Sequence, residues 1–341
     1  MIDLKDTDDL FIRPEMDSYD FRETVQEVAD GLRRYKCLKG AIDAGLFDSL
    51  TEWKGPDDLA ECGFDKDIAG LVCDILTDMG FLESCDGRYR NTYGAGTYMV
   101  TSSPLYLGRT FTMIDDGMIS CDRIGEALRK GRADCSPVPD RFYHSMTAFG
   151  DFSKGGFIRD LMDFIEDSDI PEGSSILDVA GGHGLYSIAL KTRFPRSEVF
   201  YFDRPEGAKV AEDSFREYGV EIPILTGDYY KGDIPGTYDV LVSSFNDSAC
   251  KPALVEKLRK ALRPKGIAIL RRYSITVLDP LERTLQANVC RPENSPFRRG
   301  PRGQTEEEHR EFESDMASYG FAMVRRQVLD NGTEITMYRL D

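Results

Sequence analysis

Short β-rich runs that alternate with helical patterns from Ser175 onward predict an α/β fold, a mostly parallel sheet with helices on both faces. A helical first hundred residues closing on a two-stranded hairpin predict a separate domain ahead of it, three helices and a wing, as in a winged helix. The third observation is chemical. Asp178, Asp203 and Asp228 fall at the ends of three successive strand patterns, the edge of an α/β sheet where ligands bind. A chain of 341 residues with 41% hydrophobic content can bury two cores. The division is expected at 104/105, with a helical domain over 1–104 and connector helices plus the sheet domain over 105–341.

In the first domain, Leu38, Ala41, Ile42, Leu46 and Leu50 recur at helical spacing between Tyr35 and Leu50, with a break at Gly45. Asp57 and Asp58, after Pro56, start a short helix over Leu59–Cys62 that Gly63 stops. Asp65 to Met79 is the next helix, with Ile68, Leu71, Val72, Ile75 and Leu76 expected on its packed face. Phe81–Ser84 and Tyr89–Thr92 flank Asp86-Gly87-Arg88 as strands around a tight turn. A winged helix raises DNA binding, yet the third helix carries Asp65, Asp67, Asp74 and Asp78 against Lys66, which repels phosphates. The preferred reading is packing against a second copy of the chain, a homodimer through this domain.

Between Leu105 and Glu172, helical patterns over Ile119–Leu128 and Asp140–Phe149 are separated by the turn-rich Ser136-Pro137-Val138-Pro139. Strands are then expected at Ser175–Val179, Val199–Asp203, Ile222–Leu225, Tyr238–Ser243 and Gly266–Leu270, with a terminal pair at Ala322–Val328 and Glu334–Arg339. The intervening helices are expected at Gly184–Arg193, Gly207–Tyr218 and Pro252–Leu262.

A net charge of −17 disfavours nucleic-acid and anionic-membrane partners. The eight cysteines form no C-x-x-C pair and lie mostly inside apolar stretches, so reduced, buried thiols are expected. His144, His183 and His309 are the only histidines, too few for a His-rich metal cluster, and no metal is expected. With no leader-like N-terminus and no run of about 18 apolar residues, a cytoplasmic protein is expected.

The loop Asp178-Val179-Ala180-Gly181-Gly182-His183-Gly184 joins the first strand of the sheet domain to its helix. Such glycines alone can serve only to relieve crowding between strand and helix. As a dinucleotide fingerprint, Gly182-His183-Gly184-Leu185-Tyr186-Ser187 misses the last position of G-x-G-x-x-G/A. The acids discriminate better. A pyrophosphate beside Asp178 meets like charge, whereas a sulfonium and an amino group meet a counter-ion. Asp203 suits ribose hydroxyls, and Asp228, with Tyr229 available to stack, suits an adenine amino group. The expected cofactor is S-adenosylmethionine rather than NAD.

Ile176–Gly184, Phe202-Asp203-Arg204-Pro205, Gly227-Asp228-Tyr229-Tyr230, Tyr238-Asp239-Val240-Leu241 and Ala261-Leu262-Arg263-Pro264-Lys265-Gly266 together resemble the class I methyltransferases. More narrowly, they resemble the plant caffeate and bacterial polyketide O-methyltransferase family. In the first domain, Ala41-Ile42-Asp43-Ala44-Gly45-Leu46-Phe47-Asp48 and Met79-Gly80-Phe81-Leu82 are similar to that family's winged-helix dimerisation module. The likeness runs from about residue 30 to the end. It implies a Rossmann-like catalytic domain, a small-molecule methyl acceptor, and S-adenosylmethionine held by Asp178, Gly181, Gly182, Gly184, Asp203, Asp228, Tyr229 and Ser244. Ala180 stands where the family has a glycine.

The acceptor side departs from the family. A His-Asp-Trp segment after the fourth strand supplies its general base. Here Ser243-Ser244-Phe245-Asn246-Asp247-Ser248-Ala249-Cys250 is shorter by about three residues and holds no histidine. Two supporting glutamates of the plant enzymes correspond to Arg272 and Gly303. A phenol, pKa about 10, benefits from a base at neutral pH, whereas a thiol near 8.5 supplies thiolate unaided, especially beside cations. Arg271, Arg272, Arg291, Arg298, Arg299 and Arg302 gather after the fifth strand, either for that purpose or as solvated partners of the excess acids. The expected enzyme methylates a hydroxyl or thiol of a small acidic or thiol-bearing molecule without the usual histidine. Catalytic candidates are His144, Asn246 and Asp247, His144 having the rival reading of a connector-helix residue without chemistry; acceptor-binding candidates are Met146 and Arg272. The alternatives are a protein side chain such as cysteine as acceptor, a catalytically inactive cofactor-binding dimeric regulator and, most remote, a dehydrogenase.

Overall fold

The computed structural model describes residues 14–131, 140–166, 168, 170–246, 252–273 and 306–341. Two compact units divide at Gly108/Arg109.

In the first unit, helix α1 (Ser18–Asp43) starts where the Asp17 carboxylate accepts from the Tyr19 N–H. It extends well ahead of the pattern expected from Tyr35; Phe21, Val25, Val28 and Leu32 recur along that extra length at helical spacing but are exposed. Gly45, at φ +73°, turns the chain into α2 (Leu46–Ser49). Helices α3 (Pro56–Glu61) and α4 (Lys66–Asp78) follow, then the antiparallel hairpin β1 (Leu82–Cys85) and β2 (Arg88–Asn91), and α5 (Tyr93–Tyr98). Asp86 and Gly87 both take positive φ at the hairpin tip, which the Asp-Gly pair allows. The packed face of α4 differs from expectation. Ala69, Cys73 and Leu76 are buried, while Ile68, Leu71 and Ile75 form a second, exposed apolar stripe. The helix is apolar over a wider arc than its neighbours in this unit cover.

The second unit opens with α6 (Arg109–Asp122), α7 (Ile124–Lys130) and α8 (Arg141–Phe152); the first helical pattern in the sequence falls across α6 and α7, and the second matches α8, which runs on past Phe149. A π-helical turn, Ser153–Phe157, with Gly156 at φ +146°, leads into α9 (Ile158–Glu166). Beyond it lie β3 (Ser175–Val179), α10 (Leu185–Arg193), β4 (Glu198–Asp203), α11 (Pro205–Tyr218), β5 (Ile224–Thr226), β6 (Tyr238–Ser244), α12 (Pro252–Ala261) and β7 (Leu262–Tyr273). Helix α13 (Glu306–Ser318), β8 (Phe321–Val328) and β9 (Thr333–Leu340) complete the unit.

These strands form one sheet in the order β5-β4-β3-β6-β7-β9-β8. The first five are parallel; β9 runs antiparallel to β7, and β8 to β9. Alternation along the strands separates two cores. Ile176, Val199, Tyr201, Val240, Ile267 and Ile335 pack with α9, α10 and α11, whereas Leu177, Phe202, Leu241, Ala268 and Tyr338 pack with α12 and α13. The direction of strand order reverses between β3 and β6, so the crevice at their carboxyl ends is where a ligand of this fold sits.

All five described cysteines are free. Only Cys73 among them is buried; Cys62 and Cys85 are exposed, correcting the expectation of buried thiols. Among the described residues, no helix is long and apolar enough to cross a membrane, and no group of three His, Cys, Asp or Glu could hold a metal ion.

Candidate active site

The loop after β3 is built by backbone. Ala180 and Gly181 donate to the carbonyl of Phe202 at 2.7 and 3.4 Å, tying the loop to β4. Ala180 (φ +57°), Gly182 (φ +52°) and Gly184 (φ +76°) are all left-handed, a run in which Ala180 accepts backbone strain that glycine at its position would relieve. Gly184 is also constrained by packing: a Cβ there would lie 2.9 Å from both Ala211 and Phe215 of α11.

Asp178, Tyr201 and Asp203 share the α10–α11 side of the sheet, because β3 and β4 pair with Asp178 opposite Tyr201. Asp178 lies beneath the loop, 1% exposed; its Oδ2 accepts from the Ser187 hydroxyl at 2.6 Å and its Oδ1 is buried without a protein partner. Burial pushes the Asp178 carboxyl up to about 7, Ser187 counteracts this in part, and the nearby Asp203 charge adds to the rise. Asp203 is higher on the edge. Its Oδ2 accepts from the Gly182 N–H at 2.8 Å and its Oδ1 from the Arg204 N–H at 2.7 Å. Burial raises its pKa too, although the two N–H donors work against the rise.

The segment after β5 carries Asp228, whose Oδ1 accepts from the Tyr230 N–H at 2.9 Å and whose Oδ2 pairs with Lys231 at 3.3 Å. Lys257 of α12 holds this segment through the carbonyls of Tyr229 and Gly232. Tyr229 is buried and donates its hydroxyl to Asn246 Oδ1 at 2.9 Å, and Asn246 in turn donates to Ser243 at 3.3 Å. Asn246 therefore joins the end of β6 to the segment after β5. Ser244 places a buried hydroxyl without a protein partner at the end of β6. Asp247 lies outside the described residues, as do Gly303 and Arg291, Arg298, Arg299 and Arg302.

Met146 and His144 part company on α8. Met146 meets the glycine loop, its sulfur 3.3 Å from where a Cβ on Gly182 would stand. His144, two positions earlier and so about 200° round the helix, faces α6, where its Nδ1 pairs with Asp116 Oδ2 at 2.9 Å. This contact ties α8 to α6.

Arg272 is also turned inward. Its side chain is 5% exposed and bonded to Glu334 of β9 and Glu313 of α13, with its guanidinium over the Phe312 ring. Arg271 is buried against both Phe157 and Phe245 and bonded to Asp160 and Thr333. Both arginines tie structural elements together, and Arg272, expected to bind the acceptor, is paired here with two carboxylates.

Three contributors to the site carried no signal in the sequence. Ser187 completes Asp178, Tyr201 donates to the Gly182 carbonyl at 2.9 Å, and His183 braces the loop. His183 Nδ1 accepts from the Leu185 N–H at 3.1 Å, so Nε2 carries the proton facing Ser153 at 3.2 Å. Burial lowers its pKa to about 4, keeping it neutral. Only Ser187, one turn after the loop, could have been found by helical spacing.

The sequence profile of the O-methyltransferase domain matches residues 159–290. These residues carry an O-methyltransferase domain. Within it lie the whole glycine loop, all three acids and both inward arginines. Among curated relatives, the chain is 25% identical over 257 residues to an uncharacterised protein of Methanocaldococcus jannaschii, covering 72% of this chain and 68% of that one. It is 28% identical over 234 residues to the 3-hydroxy-5-methyl-1-naphthoate 3-O-methyltransferase of Streptomyces sahachiroi, covering 64% and 67%. The solved human N-acetylserotonin methyltransferase in complex with SAM shares the fold, with a TM-score of 0.67 and 18% identity over 96% of this chain and 99% of that one. The likeness in fold runs over nearly the whole chain, the helical unit ahead of the matched residues included.

Proposed function

We propose that the protein transfers a methyl group from S-adenosylmethionine to a hydroxyl or thiol of a small molecule, without a histidine base. The observation that carries this reading is the acid pair under and beside the glycine loop. A buried Asp178 oxygen without a protein partner, and Asp203 held at both oxygens by N–H groups, fit a ligand with cationic and hydroxyl donors and oppose a pyrophosphate. In this reading Asp178 faces the ligand's positive end, Asp203 accepts from the ribose, Asp228 from the adenine, and Gly181, Gly182, Gly184, Tyr229 and Ser244 wall the site.

Bound S-adenosylmethionine supplies a methyl group on a sulfonium, which leaves as a neutral thioether once the acceptor atom has taken the methyl. The protein's task is alignment and exclusion of water. Met146 covers the loop, and Phe157, Phe245 and Tyr273 bring three rings together at the ends of β6 and β7, with centroids 5.2 and 4.9 Å apart. In this reading the acceptor's own ionisation sets the rate. The test is turnover of a panel of phenols and thiols against pH with labelled methyl donor. The expected profile rises through each acceptor's own pKa, displaced between thiols and phenols; a profile rising through one fixed pKa near 6.5 for every acceptor would show an enzyme base of histidine type.

The working form proposed is a cytoplasmic homodimer joined through the first unit. Phe21, Val25, Val28 and Leu32 of α1 recur at spacings of four and three and are all exposed, Val28 at 79%, as is the α4 stripe of Ile68, Leu71 and Ile75. Sedimentation of the wild type and of Val28→Asp checks this, the wild type running as a dimer and the variant as a monomer.

A further inference from the structure

We propose that Tyr201 is a positioning residue for the cofactor ribose, its hydroxyl fixing Asp203 and the Gly182 peptide in the pose that accepts the ribose hydroxyls; this rests on the S-adenosylmethionine reading above. Tyr201 is fully buried in an apolar core, where its ring stands edge-on to Phe215 at 5.9 Å. Phenylalanine would fill that space as well, so packing does not explain the hydroxyl.

The hydroxyl donates to the Gly182 carbonyl at 2.9 Å and lies 3.4 Å from Asp203 Oδ2. The N–H of the same Gly182 donates to the same Oδ2 at 2.8 Å. Tyr201, Gly182 and Asp203 therefore close a ring of contacts, with the Arg204 N–H holding the other carboxylate oxygen. The single Tyr201 proton goes to the nearer Gly182 carbonyl, so each Asp203 oxygen, holding one N–H, keeps a lone pair for a vicinal diol. Surrounding glycines preserve this arrangement. A Cβ on Gly181 would stand 2.6 Å from the Tyr201 ring, and one on Gly207 would stand 2.6 Å from the Asp203 carboxyl. Burial and the neighbouring carboxylates push the Tyr201 hydroxyl pKa far up, so it remains a donor.

The experiment is calorimetric titration of wild type and Tyr201→Phe with S-adenosylhomocysteine and with its 2′,3′-dideoxyribose analogue, beside kinetics at varied donor concentration. Tyr201→Phe should weaken S-adenosylhomocysteine about three- to tenfold, the net worth of one hydrogen bond, and leave the dideoxy analogue within about twofold. Donor KM should rise by the same factor while kcat stays within about twofold. Equal weakening of both ligands, or of neither, overturns the inference, since a merely structural tyrosine has no reason to sense the ribose hydroxyls. If Tyr201→Phe does not fold, 3-fluorotyrosine at position 201, which keeps the ring and the hydroxyl but alters its donor strength, should change affinity for S-adenosylhomocysteine and not for the dideoxy analogue; an equal response from both, or none, overturns the inference. A folded wild type that fails to bind S-adenosylhomocysteine removes the cofactor reading itself, which separates the two failures.

Discussion

At β3 and β4 the carboxyl edge of the sheet is held by backbone, with the Ala180 and Gly181 N–H groups on the Phe202 carbonyl and the Gly182 N–H on Asp203. At β6 and β7 one backbone bond, the Phe245 N–H to the Arg271 carbonyl at 2.7 Å, is joined by side-chain ties, with Tyr229 on Asn246, Arg271 against two phenyl rings, and Arg272 between two glutamates. A backbone-held edge admits few sequences, since it needs left-handed residues, a close strand crossing and an acid at one height. A side-chain-held edge can be rebuilt one pair at a time. The first edge is therefore legible in the sequence as one motif, whereas the second is a set of separate pairings that meet only in the fold.

The most disruptive way to probe the contrast is Arg272→Met. Removing this guanidinium leaves Glu334 buried with one cation fewer, and a loss of about 3–5 kcal/mol in chemical denaturation is expected. Unchanged stability with a raised acceptor KM would instead make Arg272 an acceptor residue and break the comparison. Asp203→Asn attacks the other edge. Cofactor affinity should fall about ten- to a hundredfold by calorimetry, the scale of hydrogen bonds to a charged group.

Asp178 sharpens the comparison through pH. Its folded pKa of about 7 lies above the ordinary carboxyl value of about 3.9, so folding favours the protonated acid. That contribution is full below about pH 4 and is lost as the pH rises through about 7. Asp178→Asn should therefore raise the melting temperature of the ligand-free protein most at pH 8, with the gain vanishing toward pH 4. A gain independent of pH would remove Asp178 from that role.

How much of this was legible in the sequence follows the same division. The strands, the loop and the three acids could be read from alternation and spacing, because backbone geometry fixes which residue types those positions tolerate. Burial of Asp178 under the loop could not, since it depends on Ser187 and Tyr201 arriving from α10 and β4. Arg272 looked like part of a basic cluster, and only the return of β9 and α13 supplies the carboxylates that occupy it. The helical spacing of Phe21, Val25, Val28 and Leu32 made the early part of α1 legible too, although the expected helix began only at Tyr35. His144 was a polar residue two places from Met146, and the turn of the helix sends it to Asp116.

The smallest effect follows from that last point. His144→Ala should leave turnover within about twofold, because its ring faces α6 rather than the loop. A hundredfold fall in kcat with a lost pH inflection would place it in the chemistry.

The most direct measurement is calorimetric titration of the purified protein with S-adenosylhomocysteine and, separately, with NAD at pH 6 and pH 8. Saturable binding of S-adenosylhomocysteine, tighter at pH 8 as Asp178 ionises, with no heat from NAD, is the result predicted by a loop built over two acids. Saturable NAD binding with no response to S-adenosylhomocysteine would contradict it.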